Sequence, residues 1–335
     1  MRNTPLYRIP WTVSDAVITW IEPTKECNMR CSGCFSANNP GKHKPLRSVL
    51  SEIDAIRAGI KTDVIAIAGG DPLCYPHLTE VIRHIKESGF HPFLITNGAL
   101  LSPASLASFK AAGLSGVCLH IDSLQNRDGW AGKDESELNG LRQHYVDMVR
   151  REGGLSCYLN MTVTKANLPH VGDVYAWARG NAPLVELMIF ITFKTPEHIT
   201  GEQRAAIAGS EVKTDEIAAA ITARDRNFKL CAILRSAFSG AEKWSVAAVP
   251  CGHEDKFISP QFFGAAQELS RRWRGRYLGR LRKMRPWEAA LAAILLIFRR
   301  GVAFSDIRAL FGGVQAVLIV QPETIVWGQK PRFFM

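Results

Sequence analysis

A series of short, nearly unbroken apolar runs between Ala16 and Phe193 limits the possible folds more than any other feature of this chain. The runs are "AVITWIE" (16–22), "DVIAIAG" (63–69), "PFLITN" (92–97), "GVCLHID" (116–122), "SCYLNMTVT" (156–164) and "LVELMIFITF" (184–193). They are rich in β-branched residues and lack the polar alternation of a half-exposed strand, so each predicts a strand covered on both faces of a parallel sheet. Helical patterns fall between them at about 46–59, 77–89, 103–112, 136–152 and 170–179. Ser102 followed by Pro103 reads as an N-cap and first helical residue, and Gly89 and Gly113 stand where helices should stop. Six β-α units in series imply right-handed crossovers and a parallel α/β sheet, either doubly wound or a partial barrel. Ligands of both architectures sit at the carboxyl ends of the strands.

Beyond about residue 195 the repeat weakens. Residues 199–227 read as helical, 249–257 as a loop and "VQAVLIV" (314–320) as one more strand. The expected division is a barrel over 1–195 and a C-terminal extension over 196–335. That extension holds "RRWRGRYLGRLRKMR" (271–285), with eight basic residues in fifteen and no acid, followed by the apolar "AALAAILLIF" (289–298). A charge run of this kind is ordinarily a solvated face. Its Trp and Leu residues also suit an anionic membrane surface, and its Arg and aromatic residues suit RNA. The whole chain has 41 Lys and Arg against 31 Asp and Glu, a net charge of +10, which favours an anionic partner.

The first twenty residues show no apolar segment of signal-peptide type, and no run reaches the roughly 18 apolar residues of a membrane span. Eight cysteines in 335 residues are too sparse for a disulfide scaffold. The expected location is the cytoplasm, with a peripheral membrane contact as the variant that the basic stretch suggests.

Three of the cysteines are crowded into "CNMRCSGCF" (27–35), with the spacing C-x3-C-x2-C. A structural zinc site would need a fourth N or S ligand. His43 is near in sequence, but its Pro, Gly and Lys neighbours predict an ordinary exposed loop. Bacterial ferredoxins space four cysteines differently. Three thiols without a fourth suit a four-iron cluster with one iron left open, and an open position on a metal is the mark of a catalytic site. Cys74, Cys118 and Cys157 lie in core-like positions and are expected to act as small hydrophobes. Cys231 and Cys251, with His253, are too few for a further full cluster.

This loop, placed after the first apolar strand, resembles the cluster-binding loop of the radical S-adenosylmethionine (SAM) superfamily. "AGGDPL" (68–73) resembles the superfamily's GGEP motif with Asp71 in place of Glu, and "LITNG" (94–98) resembles its Thr-Asn-Gly turn. The resemblance covers about 16–193 and implies a partial (β/α)6 TIM-like barrel followed by the basic extension. It implies that Cys27, Cys31 and Cys34 hold a [4Fe–4S] cluster whose fourth iron is chelated by SAM. It further implies cofactor contacts at Gly69, Gly70, Asp71, Asn97, His120, Asp122 and Asn160. Each also has an ordinary role. Gly69 and Gly70 suit a tight turn, Asn97 suits a turn before Gly98, and His120, Asp122 and Asn160 must find partners if buried. The residue before the third cysteine is usually bulky in the superfamily and helps hold adenine; here it is Gly33, and Phe35 is the expected stand-in.

The resemblance implies reductive cleavage of SAM to a 5′-deoxyadenosyl radical that attacks an unactivated carbon, with electrons from a flavodoxin- or ferredoxin-like donor. The short motifs "WIEPTKECN", "GGDPL" and "TNGALL" are also similar to the hopanoid-type lipid-modifying branch, so the expected substrate is a small molecule or lipid. The alternatives are a radical SAM enzyme acting on tRNA or peptide, and a non-enzymatic protein binding zinc and nucleic acid.

Overall fold

The computed structural model describes residues 5–36, 41–252, 257–277, 294, 313–327 and 330–334. His253 and most of the basic and apolar tail lie outside the described residues.

The six predicted strands form within two residues of their expected bounds: β2 (Ile18–Thr24), β3 (Val64–Gly69), β4 (His91–Thr96), β5 (Gly116–His120), β6 (Ser156–Val163) and β7 (Val185–Thr192). They pair in parallel and in sequence order. The intervening helices are α1 (Leu46–Gly59), α2 (Leu78–Glu87), α3 (Pro103–Ala111), α4 (Asn139–Glu152) and α5 (Val171–Gly180). Ser102 caps α3 by accepting the Ser105 N–H, as its position beside Pro103 predicts. The helices cover one face of the sheet through a core that includes Ile53, Ile82, Leu106, Val146 and Val174, all almost fully buried.

The predicted strand at 314–320 is present as β10 (Val314–Val320) and lies parallel beside β7. Five strands among the described residues have no counterpart in the sequence reading: β1 (Tyr7–Ile9), β8 (Ala232–Arg235) and β9 (Glu242–Pro250), and the pair β11 (Glu323–Trp327) and β12 (Lys330–Phe334), which forms a separate two-stranded sheet. β9 runs antiparallel to both β10 and β8, and β1 is parallel to β8. The result is one ten-stranded sheet in the order β1-β8-β9-β10-β7-β6-β5-β4-β3-β2. Residues beyond 195 thus extend the same sheet.

The two edge strands are consecutive in sequence, and no ladder joins them among the described residues. Laid flat, ten strands would set β1 about 43 Å from β2, whereas the nine residue steps from Ile9 to Ile18 reach at most about 32 Å. The sheet must therefore curl into an unclosed barrel with an inner and an outer face.

Helix α8 (Pro260–Arg274) occupies part of the inner face. Its Phe262 and Ala265 pack with Ile9, Leu234 and Val246, and a Cβ on its Gly264 would come within 2.5 Å of the Tyr7 ring. Past its end, the Arg276 guanidinium donates to Thr62 O at 2.8 Å and Asp63 Oδ1 at 2.9 Å, and Arg271 pairs with Asp15. The α8 segment therefore straps the β1–β8 edge to the amino ends of β2 and β3. Among the described residues no helix is long and apolar enough to cross a membrane.

Candidate active site

The cysteine triplet lies in the loop that leaves β2 at Thr24 and returns at Lys42. The neck is closed by hydrogen bonds from Lys25 N–H to Lys42 O (2.9 Å) and from Lys44 N–H to Pro23 O (2.8 Å). His43 is no ordinary loop residue. Its Nδ1 meets Thr24 Oγ1 at 2.8 Å, and its Nε2 lies 3.3 Å from Glu26 Oε2. The turn after β3 forms a second support: Gly70 N–H donates to Thr24 O at 3.0 Å and Asp71 N–H to Glu26 O at 2.7 Å. A Cβ at Gly69 would sit 2.3 Å from Thr24 O, and one at Gly70 2.2 Å from Glu26 O, so only glycines allow this approach. A third support comes from the far side, where Ser32 N–H donates to Leu124 O at 3.1 Å.

Gly33 has φ of +72°, and a Cβ there would lie 2.5 Å from the Phe193 ring. The space beside position 33 is filled by an aromatic from the end of β7, while Phe35 is half-buried within the loop.

All three thiols are half-buried. Burial is the main reason that each is pushed above its ordinary range, and nearby carboxylates add to it: Asp71 at Cys27, and Asp122 at Cys31 and Cys34. Such thiols stay protonated until a cation compensates the charge, as metal binding does. Cys27 Sγ accepts from Met29 N–H at 3.4 Å and from Asn97 Nδ2 at 3.7 Å. Among the described residues no three His, Cys, Asp or Glu side chains converge around one metal ion. A cluster does not require that convergence, because it binds each cysteine through a different iron. Cys118 and Cys157 are buried in the core, as expected, and Cys231 and Cys251 are also buried. Cys74 is half-exposed beside the loop, with its thiol raised to about 11, first by burial and then by Asp71 and Cys27.

The other predicted site residues fall into two groups. Asp71 and Asn97 lie under Cys27. Asp71 Oδ1 accepts from Leu73 N–H at 2.9 Å and Thr96 Oγ1 at 2.9 Å, and its Oδ2 from Asn97 N–H at 2.8 Å. Its carboxylate thereby holds the turn that presents Asn97, and the Asn97 side chain donates to Asn28 Oδ1 at 2.8 Å. His120 and Asp122 lie at the end of β5, next to the turn that meets the cysteine loop at Ser32, and Asn160 is paired with His120 within β6. His120 Nε2 is 2.6 Å from Asp122 Oδ2, which also accepts Thr162 N–H at 2.9 Å. Burial raises the Asp122 pKa, but His120, the Thr162 N–H and Arg142 outweigh it and hold the carboxyl below its ordinary range. Asn160 is 3% exposed, and its Oδ1 is buried without a hydrogen-bond partner among the described residues. An orphaned acceptor of this kind is costly and suits a ligand donor.

Three buried residues that brace the turns of the site gave no motif-level signal. Arg127 is buried and bridges the two groups: Nη2 donates to Asn97 O at 2.5 Å and to His120 O at 2.8 Å, and Nε donates to Gln125 Oε1 at 2.7 Å. Glu135 and Arg142 are fully buried and paired at 2.5 Å. Glu135 Oε1 also accepts Ser123 N–H at 2.8 Å and Asn167 Nδ2 at 2.9 Å, which braces the turn that carries Asp122. No pattern in "QNRDGWAGKDE" separates these charges from solvated ones.

Strand register carries one row of side chains across the inner face: His120, Asn160, Ile189, Leu318, Val246, Ala232 and Tyr7. Around it, Ile18, Trp20, Val64, Ile95, Tyr158 and Ile189 are only partly buried. At the far side, Trp11 and Trp244 pack edge to face at 5.5 Å, and both indole N–H groups are buried without partners among the described residues. The inner face of the described strands is therefore largely apolar, with polar side chains at His120 and Asn160.

A pinned three-thiol loop, an Asp-Asn turn beside it and the polar residues of β5 and β6 meet at one end of a curled parallel sheet. Residues 21–177, just under half of the chain, match the family model of the Radical SAM superfamily. Its members are enzymes that use a [4Fe–4S] cluster and SAM. The chain is 28% identical over 179 residues to an AdoMet-dependent heme synthase of Methanosarcina barkeri, covering 51% of this chain and 49% of that protein. It is 34% identical over 106 residues to a GTP 3′,8-cyclase of Chlorobaculum tepidum, covering 31% and 32%. SuiB of Streptococcus suis, solved with its precursor peptide SuiA, matches with a TM-score of 0.48 and 16% identity over 67% of this chain and 50% of that one. The chain spans about half the length, or less, of these curated relatives.

Proposed function

We propose that Cys27, Cys31 and Cys34 hold the [4Fe–4S] cluster, and that the enzyme acts on an unactivated carbon of a small, largely apolar or lipid-like substrate. The observation that carries the cluster assignment is the pinning of the three-thiol loop from three directions, by the β3 turn, the β5 turn and its own neck. When bound, cluster and SAM together supply a 5′-deoxyadenosyl radical, with an electron from a flavodoxin- or ferredoxin-like donor. The chain supplies position and dryness. Asp71 fixes the turn that presents Asn97 to Cys27, Asn160 Oδ1 offers an acceptor in the sheet interior, and Gly69 and Gly70 let the β3 turn support the loop. The apolar inner face excludes water from a reactive centre and suits an apolar substrate better than RNA, and the two unmet indole N–H groups suit an accepting oxygen at one end of that substrate. Residues 1–195 form the unit that carries this chemistry in our reading, and 196–335 the substrate side.

Anaerobic reconstitution tests the assignment. The expected result is about four irons and four sulfides per chain, broad charge-transfer absorption and dithionite-dependent 5′-deoxyadenosine, all lost in the triple Cys→Ala variant. One zinc per chain with no sulfide would overturn it. Comparison of lipid extracts with and without the active gene tests the substrate class: loss of a modified lipid supports it, and a change confined to tRNA or peptide overturns it.

A further inference from the structure

The exposed charge left over around the cysteine loop is of one sign. From Glu22 to Glu52 every carboxylate is engaged. Glu22 pairs with Lys25 at 2.5 Å, Glu26 accepts from Gly41 N–H at 2.8 Å and lies 3.3 Å from His43, and Glu52 pairs with Lys44 at 2.6 Å. Arg30, Lys42 and Arg47 are exposed and form no ion pair among the described residues. Arg30 stands between Cys27 and Cys31. Lys42 closes the loop neck through its carbonyl, which accepts Lys25 N–H at 2.9 Å, and Arg47 lies in the first turn of α1, which holds no acid. Residues 37–40 (ANNP) add no charge. Beyond the β3 turn, Glu80 is paired with His77 at 3.2 Å. The turn after β4 reaches the same loop, where Asn97 Nδ2 donates to Asn28 Oδ1 at 2.8 Å, and three residues on Leu100 is 51% exposed. Asn28, Arg30 and Ser32 are exposed, so the loop itself lies at the surface.

We propose that this face docks an acidic one-electron carrier protein, with Arg30, Lys42 and Arg47 as the steering rim and Leu100 as the apolar contact. This rests on the assignment of Cys27, Cys31 and Cys34 as ligands, which places the electron's destination inside the loop. Electron transfer weakens steeply with distance, so a donor must dock where the cluster comes nearest to solvent. Unpaired charges of one sign raise the encounter rate of a partner of the other sign. A small patch with rim charge around an apolar spot suits a transient redox complex. In that complex one electron passes from the carrier's reduced cofactor to the oxidised cluster, the carrier is oxidised by one electron, and no bond forms or breaks.

The test uses a bacterial flavodoxin, an acidic flavin carrier, with the reconstituted full-length protein. Complex formation is read by biolayer interferometry and cluster reduction by stopped-flow absorbance, with dithionite as the donor that needs no docking. Wild type is expected to bind flavodoxin and to lose most of that binding at about 1 M salt, where the screening length is about 3 Å. Combined Arg30→Glu, Lys42→Glu and Arg47→Glu are expected to lower flavodoxin association and flavodoxin-driven reduction about tenfold, with dithionite reduction unchanged. The pair Lys42→Glu and Arg47→Glu, outside the cysteine triplet, decides the matter if the triple variant loses iron. The pair Lys42→Arg and Arg47→Lys, which keeps the charge, is expected to match wild type. A wild-type rate in the reversed pair overturns the proposal, as does an equal loss in the charge-keeping pair or an equal loss with dithionite. Binding of RNA or of phosphatidylserine vesicles that the reversal abolishes, with flavodoxin binding unchanged, would give the rim to that partner and also overturn it. A normal iron content with no flavodoxin binding sinks the docking alone, whereas a wild-type protein that takes up no cluster sinks the ligand assignment beneath it.

Discussion

Gly33 shows how much one residue can decide. Its φ of +72° and the Phe193 ring, 2.5 Å from where a Cβ would lie, leave no place for a side chain. Gly33→Ala is expected to cost about 1–3 kcal/mol and to lower iron retention, measured as a fall in Tm and in iron per chain after desalting. Asp122 sets a pH dependence. Its carboxyl is held below the ordinary range against burial, by His120, Thr162 and Arg142. Its stabilisation is therefore complete above the unfolded value of about 3.9 and is lost as pH falls through the depressed native value. Asp122→Asn is expected to be less stable than wild type at neutral pH and to lose less further stability on acidification, in urea titrations from pH 7 to pH 3. Asp71 works in the opposite direction: burial raises its carboxyl, so its contribution to stability grows as pH falls through the raised native value.

At the scale of elements, two buried polar side chains hold the architecture together. Gln315 of β10 is fully buried; its Nε2 donates to Ala178 O and to Val185 O, both at 2.7 Å, and its Oε1 accepts from Arg179 at 3.0 Å. It locks β10 to the start of β7 and the end of α5. Gln315→Leu would strand two buried carbonyls and is expected to cost about 2–4 kcal/mol, read as a lower urea midpoint with an unchanged slope. Arg142 of α4 joins Glu135, Ile121 O and Asn139 around the β5 turn. Arg142→Met leaves Glu135 buried and uncompensated, which costs about 3–5 kcal/mol, and thermal unfolding is expected to show it. The strands β2–β7 and helices α1–α5 were legible because buried runs and 3.6-residue patterns are local signals. β1 has three residues and β8 four, too short for any period to declare itself. The cysteines after β2, Asn97 and Asp122 after β4 and β5, and Asn160 within the apolar run of β6 were legible as unusual residues for their places. Arg127, Glu135 and Arg142 were not, because a charged residue in a turn or helix reads as solvated until its neighbours are known.

For the whole molecule, the curl of the sheet depends on parts far apart in sequence. β10 lies between β7 and β9, so a chain ending at residue 313 would leave β7 with an open apolar edge and detach β9, β8 and β1. That truncation is expected to abolish soluble monomer, measured by size-exclusion chromatography; a folded monomer with native circular dichroism would show that the six-unit barrel stands alone. The sequence by itself determined the alternation of strand and helix, the place of the cysteine loop after the first long strand and the kinds of residue at the strand ends. These are properties of adjacent residues, set by sterics and periodic burial. Only the tertiary structure decided that Phe193 covers Gly33, that His43 closes the loop neck, that α8 straps the inner face and that Arg127 lies buried between the Asn97 and His120 carbonyls. Each depends on contacts between separate elements, whose energies come from packing and desolvation that no local pattern records.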